Sequence, residues 1–236
     1  MRSDPLERPI WNSLAGPQAH LAQGGPRALR LDPGYGPFAA AMDRGAEAQA
    51  ALAALLRHDD DWVLVIEPGP WPCPPGLHVA DTIALVQMIH RAPPPVPGDA
   101  SATCPKLLGP ADVPAMRALV AATEPGPWAD RTQCFGEFYG VRDTAAGSSA
   151  ELLAMAGERF RPAPGLTELS GVCTAAQARG RGLAARVIGR VLAGMEARGA
   201  RAFLHCRADN AGAIRLYRTL GFEVSREMVV TVLTRG

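Results

Sequence analysis

The most informative part of this sequence is Arg179-Gly180-Arg181-Gly182-Leu183-Ala184, which follows an apolar segment ending at Val172-Cys173-Thr174. The first N–H groups of a helix have no partner within it, and the helix dipole favours negative charge beside them. Glycine lets a ligand approach the backbone, and two arginines can donate charge-assisted hydrogen bonds to phosphate. The stretch therefore predicts a diphosphate-binding turn between a strand and a helix, although Gly-Arg-Gly alone also suits an ordinary exposed turn.

The segment 183–198 is the clearest helix in the sequence. Gly199 follows it, where a helix commonly stops. Its apolar residues recur every three or four positions and so share one face: Leu183, Val187, Ile188, Val191, Leu192 and Met195. This stripe predicts a helix that packs against a sheet directly after the turn.

Strand and helix patterns alternate around the turn. The predicted helices are 112–123, with Asp112 as N-cap, and 210–220; the predicted strands are 137–142, 151–161, 166–174, 202–207 and 227–234. The order indicates a mixed α/β fold of the α+β kind, with a largely antiparallel central sheet flanked by helices.

The first hundred residues carry weaker patterns. We predict mainly loop with one short helix up to residue 43, then a helix over 46–57, a strand over 62–67 and an apolar segment over 83–89. The proline-rich stretch Arg91–Ser101 is typical of a semi-rigid linker. We therefore place a boundary there, with an N-terminal extension over 1–100 and the main domain over 101–236.

Composition excludes several classes of protein. The 236 residues carry 24 basic and 23 acidic side chains, so the net charge of +1 favours neither nucleic acid nor a membrane surface. Five cysteines without CxxC spacing predict neither a disulfide framework nor a zinc site, and no metal is expected. The odd number of cysteines favours a reducing cytoplasm, and the N-terminus lacks a secretory pattern, so we expect a cytoplasmic protein. Richness in Ala, Gly, Pro and Arg indicates a bacterial source.

A second motif lies near the end of the chain, at Asn210, Ala213, Leu216, Tyr217, Gly221 and Phe222. It matches every position of N-x-x-A-x-x-L-Y-x-x-x-G-F, and Arg179, Gly182 and Ala184 match Q/R-x-x-G-x-G/A. Both are hallmarks of the GNAT acyltransferase superfamily, which this sequence therefore resembles. The stretch 170–221 resembles the branch related to glycine N-acyltransferase, although Ala175-Ala176 replaces its usual His-Pro. Residues 1–100 match no motif and loosely resemble a degenerate half of the same fold.

The resemblance implies acetyl-CoA as co-substrate and assigns residues to it. The implied cofactor-binding residues are Val172, Cys173, Thr174, Arg179, Gly180, Arg181, Gly182, Leu183, Ala184, Asn210, Ala213 and Tyr217. The N–H of Cys173 is a candidate donor to the oxyanion. Tyr217 is implied as the general acid that protonates the departing CoA thiolate; the alternative is a half-buried aromatic side chain. Asn210 is equally consistent with a helix N-cap.

A general base has to collect the proton of the attacking amine. We choose Glu168, because period-two alternation places it on the face of Ser170 and Val172. Glu158 on the neighbouring strand is the second choice, and the alternative for either is a solvated or salt-bridged carboxylate. A covalent mechanism through Cys173 is disfavoured, and His205 is read as a core or rim histidine.

We therefore expect an enzyme that transfers an acetyl group directly to a primary amine, of an amino acid, another small molecule or a protein lysine. The alternatives are a non-catalytic acyl-CoA-binding sensor or interaction module, and a nucleotide-binding protein that uses the same turn. No nucleic-acid or membrane partner is expected, and a homodimer is left open. Acceptor choice is assigned to the N-terminal zone and the loops around 128–138.

Overall fold

A computed structural model describes residues 4–92, 104–143 and 151–235. Its helices are α1 (Pro9–Leu14), α2 (Ala46–Ala53), α3 (Val113–Thr123), α4 (Leu183–Ala197) and α5 (Ala211–Thr219). Its strands are β1 (Ala22–Gly25), β2 (Ala28–Leu31), β3 (Ala39–Ala41), β4 (Trp62–Glu67), β5 (His78–His90), β6 (Lys106–Leu107), β7 (Phe138–Arg142), β8 (Leu152–Glu158), β9 (Leu166–Thr174), β10 (Arg201–Arg207) and β11 (Phe222–Thr234).

The core of the molecule is an eight-stranded sheet with the order β4-β11-β5-β10-β9-β8-β7-β6. β9 and β10 are parallel, and the other neighbouring pairs are antiparallel. A parallel pair needs a long crossover, and here α4 supplies it. The predicted fold class, a largely antiparallel mixed sheet flanked by helices, is confirmed.

The strand β5 lies between β10 and β11, although it precedes both by a long stretch of chain. It pairs with β11 along nearly its full length, from Phe222↔His90 to Thr234↔His78. β4 of the N-terminal zone then covers the outer edge of β11. The domain boundary near residue 100 stays a prediction. The central sheet contains strands from both sides of that boundary.

The prediction of mainly loop up to residue 43 was wrong. Besides α1, this zone forms an antiparallel sheet of β1, β2 and β3. The strands of this sheet have only three or four residues and are rich in alanine and glycine, which are uncommon in β-strands. Neither their length nor their composition therefore indicated strands in the sequence.

The helix α4 forms as its apolar stripe predicts. All six residues of the stripe are buried, and the helix packs mainly on β8 and β9. Burial of each such side chain contributes about 1.5–3 kcal/mol. Gly199 follows with φ +68, a left-handed conformation that stops the helix at little cost.

Asp112 occupies the predicted N-cap position of α3, but its side chain does not cap this helix. Asp112 accepts a hydrogen bond from the backbone N–H of Gly109 at 2.7 Å and makes no side-chain cap to α3, within the described residues. The reason is a 3-10 turn, Pro110–Asp112, that precedes the helix. Asp112 already has helical backbone angles, so its carboxylate reaches backward.

Candidate functional site

The two parallel strands separate part-way along their length. β9 and β10 pair at Arg201↔Leu166, Ala202↔Thr167 and Phe203↔Glu168. Beyond Glu168 the described residues of β9 and β10 no longer pair with each other. From there β10 pairs only with β5, and β9 pairs only with β8. Backbone groups of β9 that face this opening therefore have no strand partner and are free to bind an extended ligand.

A β-bulge lies in β9 beside the opening. The register runs from Gly157↔Ser170 to Met155↔Cys173, so Gly171 and Val172 together oppose one residue of β8. Gly171 has φ +62, which glycine tolerates best. The prediction that Glu168 and Val172 share a face was wrong, because the extra residue reverses the alternation. Glu168 instead shares its face with Ser170 and Cys173.

The predicted phosphate turn joins β9 to α4. Gly180 and Gly182 have φ +75 and +71, and a Cβ at either position would meet no described atom within 4 Å. The first helical hydrogen bond comes from Arg186 to the carbonyl of Gly182, so the preceding amides point outward without a side-chain cap among the described residues. The side chains of Arg179 and Arg181 are exposed beside them.

The second motif shapes α5. Asn210 caps this helix, since its Oδ1 accepts a hydrogen bond from the N–H of Ala213 at 3.0 Å. Tyr217 is buried in one cluster with Cys173 and Cys206, at the opening. Burial, with a smaller contribution from Cys206, raises the pKa of Tyr217. Its hydroxyl has no hydrogen-bond partner in the described parts of the chain.

Cys173 is buried and protonated at neutral pH. Burial raises the pKa of its thiol to about 11. Because the thiolate is the nucleophilic form, this environment agrees with the prediction that disfavours a covalent mechanism.

Glu168 lies where the strands separate and is bonded to His205. The Nδ1 atom of His205 is 2.8 Å from Oε1 of Glu168, and the N–H of Phe160 is 3.4 Å from Oε2. The Nε2 atom of His205 is 3.1 Å from Nε2 of Gln87. The sequence prediction missed this contact, because the meeting of β5, β9 and β10 depends on a register that no local pattern reveals.

Glu158 is on the opposite face of the sheet, towards α4. Its carboxylate is 1% exposed and forms ion pairs with Arg161, at 2.9 Å, and with Arg198. This is the salt-bridged alternative, and both of its oxygens are engaged.

The loop around 128–138 packs against the bulge. The rings of Trp128 and Phe138 meet edge to face at 5.4 Å. A Cβ on Gly171 would lie 2.9 Å from the ring of Phe138 and 3.3 Å from that of Trp128. A cavity of about 190 Å³ opens behind Phe138, lined also by Met116 and Cys134. A larger cavity, about 300 Å³, lies at the far end of α4 and contains none of the predicted site residues.

Residues 4–92, 104–143 and 151–235 contain no group of three or more His, Cys, Asp or Glu side chains that suits a metal ion. None of their helices is both long and apolar enough to cross a membrane.

A mixed sheet opened between two parallel strands, with a glycine turn leading into the crossover helix, is the architecture of the GNAT fold. A protein from Novosphingobium aromaticivorans DSM 12444, assigned to the GNAT family of acetyltransferases, is 51% identical over 99% of this chain and 100% of its own, with a TM-score of 0.91. The chain belongs to the GNAT family and is an N-acyltransferase.

Further comparisons agree on the fold. The FR47-like protein family matches residues 146–230. A GCN5-related N-acetyltransferase from Kribbella flavida is 18% identical, covering 98% of this chain and 96% of its own, with a TM-score of 0.66. A GNAT-family acetyltransferase from Colwellia psychrerythraea is 14% identical over 87% and 80%, with a TM-score of 0.51. No curated protein is significantly similar in sequence.

Proposed function

We propose that this enzyme transfers the acetyl group of acetyl-CoA to a primary amine. The observation that carries the proposal is the opening between β9 and β10, which runs from Glu168 to the turn before α4. One end offers a buried carboxylate, the other offers outward backbone amides and two arginines. A thioester with a long diphosphate-bearing arm matches this sequence of groups.

The cofactor follows the opening. The amides of its pantetheine arm form hydrogen bonds with the backbone of Val172–Thr174, where β9 no longer pairs with β10. Its diphosphate binds the N–H groups around Gly182–Ala184, which the helix dipole favours, while Arg179 and Arg181 add charge. Asn210 and Ala213 at the start of α5 border the same opening. Since Asn210 already caps α5, its contribution is to place that helix.

The chemistry is direct attack on the thioester. The amine nitrogen bonds to the carbonyl carbon, and the oxyanion accepts a hydrogen bond from a backbone N–H of β9 that faces the opening. The predicted donor, the N–H of Cys173, faces Met155 of β8 instead, because the bond from Ala175 to Leu153 fixes the alternation of this ladder.

The C–S bond then breaks, and Tyr217, which burial keeps protonated, gives its proton to the thiolate. Glu168 takes a proton from the nitrogen through Oε2, whose contact with the N–H of Phe160 is long at 3.4 Å, whereas Oε1 is hydrogen-bonded to His205 at 2.8 Å.

The acceptor approaches from the face that Glu168 shares with Ser170. Trp128 and Phe138 border this face at the bulge, and the buried indole Nε1 of Trp128 has no hydrogen-bond partner among the described residues. A buried donor without a partner costs free energy that a bound acceptor group can recover. The acceptor is an amine of an amino acid or other small molecule, or a protein lysine.

A screen of candidate amines with detection of free CoA tests the proposal. Acetyl-CoA alone should raise the melting temperature, because a ligand that binds only the folded state stabilises it. Amine-dependent thiol release would then identify the acceptor. Absence of a thermal shift at millimolar acetyl-CoA would contradict the cofactor assignment, and ATP serves as the diphosphate control.

A further inference from the structure

A row of three buried polar side chains crosses the sheet from β9 to β5. Glu168 on β9 contacts His205 on β10, and His205 contacts Gln87 on β5, which is fully buried. The amide nitrogen of Gln87 also lies 2.9 Å from the carbonyl oxygen of Leu6. The row therefore ends on the backbone of the N-terminal segment.

The carbonyl of Leu6 determines which way every group in the row is oriented. A carbonyl oxygen only accepts hydrogen bonds, so the group of Gln87 that faces it must be the NH₂. The second N–H of that amide points to Nε2 of His205, which must then be the unprotonated, accepting nitrogen. The proton of the neutral ring is on Nδ1 and is donated to Oε1 of Glu168.

We propose that Gln87 is a positioning residue of the active site, which acts on Glu168 by fixing the tautomer of His205. The inference rests on the proposed role of Glu168 as base. A proton on Nε2 would place an N–H against the NH₂ of Gln87, so the amide holds the ring neutral and keeps its Nδ1–H aimed at the carboxylate. Glu168 thus keeps a fixed position.

The surrounding charges explain why a neutral histidine is needed. Arg159 is buried beside Glu168 and interacts with its charge. On the other side of the row, Arg226 of β11 is paired in register with Gln87 and forms an ion pair with Asp4. An imidazolium at His205 would be a further cation in this row. Held against Glu168, it would weaken that carboxylate as a proton acceptor.

The experiment compares Gln87→Met and Gln87→Glu with Gln49→Met. Met has the length of Gln and no hydrogen bonds, so it frees Nε2 of His205 to bind a proton. Glu offers that nitrogen an acceptor and favours the imidazolium outright. Gln49 is a buried amide of the same N-terminal half that accepts a hydrogen bond from the indole of Trp71 at 3.0 Å. It makes no hydrogen bond to the row among the described residues, so Gln49→Met controls for general loss of stability.

Two readouts are needed. The first is the ¹⁵N NMR spectrum of the ring nitrogens over a pH series, in which His205, one of five histidines, is assigned by its loss in His205→Asn. The second is kcat/KM against pH. In Gln87→Met we expect Nε2 to become protonated at higher pH than in the wild type. We expect kcat/KM to fall about 10-fold near neutrality and to recover at alkaline pH, with unchanged acetyl-CoA affinity.

The outcomes separate the two levels of the inference. Wild-type His205 with its proton on Nε2, or a Gln49→Met profile that shifts like that of Gln87→Met, overturns the proposal. The ring signals of His205 could change as expected while Glu168→Gln keeps full kcat/KM. That result would overturn the assignment of Glu168 as base, and with it the proposed role of Gln87 in catalysis. A neutral Nδ1–H ring in the wild type, an imidazolium in Gln87→Glu and an altered profile in Gln87→Met support it.

Discussion

Tyr217 combines a polar hydroxyl with a buried ring, and its neighbours explain how it can act. The ring packs edge to face on Phe222 at 5.9 Å, and the hydroxyl has no partner in the described residues. Burial raises the pKa of this phenol, so the hydroxyl is protonated at neutral pH but is a weak proton donor. Its contribution in the proposed role of general acid should therefore be moderate.

Tyr217→Phe should lower kcat by about 10²-fold, the low end for a general acid, and leave acetyl-CoA affinity nearly unchanged. Steady-state kinetics on a reactive amine and calorimetric titration of acetyl-CoA measure the two effects. Tyr139→Phe is the matched control, because Tyr139 is also buried and loses only a hydrogen bond to Glu137. Full turnover in Tyr217→Phe would assign this residue to packing.

The two glutamates differ in what surrounds them, and the difference predicts separate pH profiles. Glu168→Gln should reduce kcat/KM most near neutrality, where the amine is mostly protonated, and alkaline pH should restore part of the loss. Glu158→Gln breaks ion pairs with Arg161 and Arg198, so it should lower the free energy of unfolding and leave the shape of the profile intact. If only Glu158→Gln changes the acidic limb, the roles are reversed.

At the level of elements, α4 offers a test in which one helix supplies both variant and control. Gly182 and Gly199 lie at its two ends, both with positive φ and both with open space where a Cβ would be. Asp at either position carries similar backbone strain. Only at Gly182 does it place a negative charge against the proposed diphosphate site.

Gly182→Asp should therefore weaken acetyl-CoA binding by at least about 10-fold, whereas Gly199→Asp should leave it unchanged. Calorimetric titration of folded protein, checked by circular dichroism, is the measurement. Equal affinity in the two variants would contradict the placement of the diphosphate at this turn.

The elements also show what sequence can and cannot predict. The α4 stripe and the strands on either side were predicted because their periodicity is local and their burial one-sided. The bulge at Gly171 was not, since one inserted residue leaves no trace in a pattern of alternating side chains. Glu168 was chosen as the base from its position before the turn, and that role stays a prediction. Gln87 was not singled out, because its contacts with His205 and Leu6 form only when the sheet is assembled.

At the scale of the whole molecule, the insertion of β5 makes the two halves of the sequence interdependent. Residues 101–236 expressed alone should fail to fold, because β10 and β11 would lose the strand that joins them. Circular dichroism and NMR shift dispersion would show the failure, and co-expression of residues 1–92 should restore folded, acetyl-CoA-binding protein. A stable, cooperatively unfolding 101–236 fragment would show instead that the halves are independent domains.

The position of β5 also has a consequence for how the protein is made. During synthesis β5 leaves the ribosome long before β10 and β11, the strands that it must join, so neither of its edges can be paired until the chain is nearly finished. Such non-local pairing slows folding, and an unpaired apolar strand is prone to aggregation in the meantime. Yield in a heterologous host should therefore depend on translation speed, temperature and the supply of holdase chaperones.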